Sequence, residues 1–137
     1  HKLIALISGS LRLTYSIFLA IGIAFLFAKN TEIFLRIWSL GLFVFGFHLA
    51  ITGIGVFLST ETPNLLGFLL IIAGIGYSLT HGLQNFIPQA TTFATYLETF
   101  LTIPMTIGEL SFAIWLFIKG GRKINQLPSN NSVPDAL

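Results

Sequence analysis

The sequence predicts an all-α fold, a polytopic transmembrane helix bundle of about four antiparallel helices, on three observations. Of its 137 residues, 54% are hydrophobic and only 9% are charged, giving a mean hydropathy of +0.86. A soluble domain usually carries about 25% charged residues, and a chain this short keeps too much surface to hide so much apolar side chain. The apolar residues also fall into four runs separated by short polar connectors, each run near the roughly 20 residues needed to cross a bilayer.

The first run covers residues 3–27 and holds one charge, Arg12. Lys29-Asn30-Thr31-Glu32 interrupts the pattern, with Asn30 or Thr31 placed to cap the next helix. The second run, 34–58, has Arg36 near its start and His48 inside. Ser59-Thr60-Glu61-Thr62-Pro63-Asn64 breaks it, and Pro63 suits a helix start, where its missing N–H costs nothing. The third run is 65–83. A break over 84–92, containing Pro88, precedes the fourth run, 96–118, which holds Glu98 near its outer end and Glu109 at its middle. Pro104, one turn before Glu109, is placed to kink that helix. The transmembrane domain thus covers 1–121. The polar stretch 122–137, rich in Asn, Ser and Pro, reads as a disordered tail.

Charge and composition exclude several classes. The net charge of +2 rests on only seven Lys and Arg, which fits membrane topology and not nucleic-acid binding. With no cysteine, there is no disulfide, thiol chemistry or Cys-type zinc site. Four spans put both ends on one side. That side carries Lys2, Lys119, Arg122 and Lys123 against Lys29 and Arg36 opposite, so the positive-inside rule makes both ends cytoplasmic. The expected partners are the lipid bilayer and, beyond it, other membrane helices or a second copy of the chain.

Small and polar residues recur at helical spacing: Ser8, Arg12, Tyr15 and Gly22; Gly41, His48, Thr52, Gly55 and Ser59; Gly67, Gly74, Ser78, His81 and Asn85; Glu98, Thr102, Thr106 and Glu109. The simplest account is close helix packing, as for the ladder Gly74-x-x-x-Ser78-x-x-x-Gly82. Ionisable groups demand more, since a charge at mid-bilayer costs about 2.5–3.5 kcal/mol even on a mild scale. Arg12, His48 and Glu109 each lie roughly 15 Å from the inner edge at about 1.5 Å per residue. A shared depth predicts one buried cluster, with an Arg12–Glu109 pair, His48 bonded to either, and Tyr15 supplying a hydroxyl. Arg36 and Glu98, at a similar outer depth, form a candidate interfacial pair. Trp38 and Trp115 fall where aromatic belts occur.

No catalytic, cofactor-binding or metal-binding residue is assigned. There is no Gly-rich phosphate loop, metalloprotease helix motif or nucleophile elbow. The leading expectation is a non-enzymatic structural or interaction component of the cell membrane, organised by its Arg-His-Glu cluster. The alternatives are a small-solute or proton-coupled transporter titrating at Glu109, and an intramembrane enzyme.

Four segments carry a resemblance: Pro63-Asn64-Leu65-Leu66-Gly67, Ile72-Ala73-Gly74-Ile75-Gly76-Tyr77, Ile107-Gly108-Glu109-Leu110 and Trp115-Leu116-Phe117-Ile118-Lys119-Gly120. Together with Arg12 and Phe47-His48-Leu49, they make residues 2 to 121 resemble the bacterial membrane-protein family called domain of unknown function 4386 (DUF4386). The loop Ser59–Asn64 departs from the family pattern by lacking a basic residue. The resemblance implies a multi-pass membrane protein, of which this chain would be the C-terminal part of a six-helix whole. It implies no activity and no site residues.

Overall fold

The computed structural model describes residues 2–120. The tail expected over 122–137 lies outside the described residues. Four long helices follow in order: α1 (Lys2–Phe27), α2 (Thr31–Phe57), α3 (Asn64–Phe86) and α4 (Thr91–Gly120), with a 3₁₀ turn at Pro88–Ala90. All four are long and apolar enough to cross a membrane. At 1.5 Å per residue they measure roughly 35 to 45 Å, more than the ~30 Å hydrocarbon layer, so their ends reach the headgroups or the helices tilt.

Local chemistry explains the boundaries. After α1, Lys29 takes a left-handed backbone with φ of 58°. Asn30 N–H then donates to the Phe25 carbonyl at 3.0 Å, and Lys29 N–H to the Leu26 carbonyl at 2.9 Å. This double closure satisfies the last carbonyls of the helix. Asn30 at once caps α2, its Oδ1 accepting from Ile33 N–H at 3.2 Å, so α2 begins earlier than its apolar run. Pro63 stands at the N-cap of α3. The break expected over 84–92 is shorter than its polarity suggests, because Pro88 opens a 3₁₀ turn that passes straight into α4. The hydroxyls of Thr95 and Thr99 donate to carbonyls one turn back, at 3.0 and 2.9 Å, so the polar start of α4 is still helical. The helix also runs on through Pro104.

Each helix packs on its neighbour in sequence: α1 on α2, α2 on α3 and α3 on α4. Among the described residues, no other pair of long helices brings Cα atoms within 8 Å, so the bundle is open between α1 and α4. The tightest crossing is α2 on α3. A Cβ added at Gly46 would lie 2.7 Å from the Gly74 carbonyl oxygen, one at Gly53 2.8 Å from that of Gly67, and one at Gly74 2.5 Å from Ala50 N. Only glycine admits backbones this close. On the other side of α3, Gly76 faces Met105, and a Cβ at Gly108 would lie 2.9 Å from the Leu69 carbonyl oxygen. The core gathers Leu49, Val56, Leu66, Leu70, Ala73 and Met105 between α2, α3 and α4. The outward faces are bare hydrocarbon, with Phe117 90% and Phe27 85% exposed, a surface suited to lipid and not to water.

Candidate intramembrane polar site

The polar side chains fall into two separate hydrogen-bond networks and one isolated carboxyl group. The first network joins α1 to α2. His48 Nδ1 lies 3.0 Å from the Ser8 carbonyl oxygen and 3.1 Å from Ser8 Oγ. A carbonyl can only accept, so Nδ1 carries a proton. Ser8 Oγ also bonds Thr52 Oγ1 at 2.8 Å. Tyr15 packs its ring on His48, with centroids 5.5 Å apart, and edge-on to Phe45 at 4.9 Å.

The second network ties α2, α3 and α4 together nearer the opposite membrane face. His81, buried on α3, places Nδ1 3.0 Å from Ser39 Oγ and 3.1 Å from Gln84 Oε1. Asn85 Nδ2 donates to Ser39 Oγ and to the His81 carbonyl, both at 2.7 Å. Gln84 Nε2 donates to Glu98 Oε2 at 2.7 Å. An amide thus links the imidazole on α3 to the carboxylate on α4.

Glu109 belongs to neither network. The Tyr77 side chain is near enough to interact with the Glu109 carboxyl group, while Oε1 is buried and bonds to nothing among the described residues. Tyr77 in turn packs edge-on to Phe45, with ring centroids 5.3 Å apart, and stacks on His81 at 6.1 Å. A file of rings therefore connects the surroundings of His48 to Glu109.

The residues expected to cluster are only partly brought together. Tyr15 and His48 meet, and Arg12 lies within electrostatic reach of the imidazole. However, Arg12 is exposed and forms no ion pair with Glu109. The physical reason is azimuth: the two sit on α1 and α4, which bring no Cα atoms within 8 Å of each other. The outer pair also rearranges. Arg36 bonds Glu32 on its own helix at 3.6 Å, both groups being largely exposed, while Glu98 turns to Gln84. Ser39, Tyr77, His81, Gln84 and Asn85 were not among the expected site residues. Among the described residues, no three His, Asp or Glu lie close enough together to hold a metal ion.

Between α1 and α4 lies a groove of about 320 Å³, lined by Ile4, Ser8, Thr52, Val56, Phe112 and Trp115 among others. It sits at the end of the bundle where α1 begins and α4 ends, and its walls are mostly apolar.

Comparison with known proteins agrees with this architecture. The chain is 38% identical over 96 residues to an uncharacterized protein of Archaeoglobus fulgidus, a match covering 70% of this chain and 53% of that protein. The chain therefore spans about half the length of the curated relative it matches. No solved structure matches it. The family described as "Domain of unknown function (DUF4386)" matches over residues 1–120, and with four apolar helices and a match along nearly its whole length, this chain is a membrane protein that belongs to the DUF4386 family.

Proposed function

We propose that this chain is a multi-pass protein of the cell membrane, crossing it four times with both ends cytoplasmic, and that it acts as a structural or interaction component without catalysing a reaction. The observation that carries this reading is how its polar side chains are used. Ser8, His48 and Thr52 bond α1 to α2, and Ser39, His81, Gln84, Asn85 and Glu98 bond α2, α3 and α4. Groups spent on neighbouring helices hold a scaffold together and leave few donors or acceptors for a substrate.

A second reading, a proton-coupled or small-solute transporter, is favoured by the bare Oε1 of Glu109, because intramembrane carboxyl groups often mark proton or ion paths. Proteoliposomes separate the two. With an internal pH dye and a valinomycin-imposed potassium potential, the scaffold reading expects acidification no faster than in empty vesicles. Flux that is present in the native chain and lost in Glu109→Gln would sink it in favour of transport.

A further inference from the structure

We propose that the groove between α1 and α4 is a binding site for one anionic phospholipid, its acyl chain against Phe112 and Trp115 and its phosphate between Lys2 and Lys119. The groove is mostly apolar, with Ile4, Val56 and the two aromatic rings among its walls. Phe112 and Trp115 stack in parallel, 6.4 Å between centroids and 7° between planes, which gives one wall a flat aromatic face of the kind alkyl chains pack on.

The charge at the mouth is what selects the ligand. Lys2 precedes Ala5 by three residues, and Lys119 follows Trp115 by four, so each lysine shares a helix face with a residue lining the groove. Both lysines are exposed; Lys2 opens α1 and Lys119 falls in the last turn of α4, the two helices that supply Ile4 and Trp115 to the groove. The hydroxyls of Ser59 and Thr62 also line it, adding donors suited to phosphate or ester oxygens. Glu61, in the same loop, is the acidic side chain at this end among the described residues, leaving two cations against one anion. Basic openings between transmembrane helices at the cytoplasmic side recognise anionic headgroups in this way. The site requires membrane insertion but not the scaffold role, so it stands or falls separately from it.

The chain has two tryptophans, and Trp115 alone lines the groove, which makes it a reporter. In Trp38→Phe protein reconstituted into vesicles, brominated phosphatidylglycerol should quench Trp115 at a lower mole fraction than brominated phosphatidylcholine. Lys2→Gln with Lys119→Gln should erase that preference, by roughly 25-fold at about fivefold per lysine, while phosphatidylcholine quenching stays unchanged. Should Trp38→Phe fail to fold, subtracting the Trp38 signal of Trp115→Phe from the native signal gives the same curve. Equal quenching by both lipids overturns the proposal, as does a preference that survives loss of both lysines. A Trp115 shielded from both lipids also overturns it, because another helix or a second copy then fills the groove.

Discussion

Glu109 has one buried bare oxygen, in a medium where an unpaired polar atom costs about 1–3 kcal/mol. Tyr77 is the neighbouring polar group that interacts with the carboxyl. Tyr77→Phe should lower the unfolding free energy by about 1–3 kcal/mol, measured by steric trapping in bicelles. Glu109→Gln keeps an acceptor for the hydroxyl and removes any charge, so it should be neutral or stabilising. A loss in Glu109→Gln as large as that in Tyr77→Phe would mean that the carboxylate has a cationic partner after all. The Ser8–Thr52 bond, at 2.8 Å, sets a different scale. Interhelical hydrogen bonds in membranes average only about 0.6 kcal/mol, because the unfolded chain in lipid also finds partners. A Ser8→Ala, Thr52→Ala double-mutant cycle should give a coupling of about that size, and a value of several kcal/mol would contradict it.

Among the elements, α2 and α3 are held by glycine. A Cβ at Gly46 would lie 2.6 Å from Ser78 N as well as against the Gly74 carbonyl. Backbone atoms cannot swing aside, so Gly46→Ala should cost about 1–3 kcal/mol through overpacking. Gly9 has nothing within 4 Å of its added Cβ, so Gly9→Ala should be neutral or gain up to about 1 kcal/mol from helix propensity. Equal effects at the two sites would argue against the crossing described. The end of α1 offers the reverse case. Lys29 holds a left-handed backbone that costs a side-chain-bearing residue about 1–2 kcal/mol, so Lys29→Gly should raise the unfolding temperature. Much of this level was readable beforehand. Run lengths and connectors gave the helix order, and Asn30 and Pro63 marked two starts. Half of the crossing lay on the α3 stripe, where Gly67, Gly74 and His81 recur every seven residues, whereas the matching α2 repeat of Ser39, Gly46 and Gly53, at the spacing of a left-handed helix pair, stands on a different stripe from Gly41 and His48. Polarity marks an end of the third run at 83, whereas the helix continues to Phe86.

For the whole molecule, the direction in which a side chain faces was not legible. Counting residues from a helix end places Arg12 and Glu109 at a common level, but not around the circumference, and the two helices that carry them are not neighbours. The order of the array makes protection uneven. Within their most hydrophobic windows, 44% of α3 is buried against 6% of α1. Hydrogen exchange should therefore be slowest in α3 and fastest in α1, and the opposite ranking would mean that α1 has a partner beyond α2. Because the chain has no cysteine, single replacements can report its threading. Lys29→Cys should react with an impermeant maleimide from outside intact cells, and Thr60→Cys only after permeabilisation. Labelling of both from the same side would rule out the crossing pattern.

Where Gly46 meets Gly74, no rotamer stands between the two main chains. The separation of those axes is set by contact radii, which no side-chain motion can relax. The central pair is in effect a keel, and any adjustment to a thicker or thinner bilayer must be made by the flanking rods, each with a single seam to yield along.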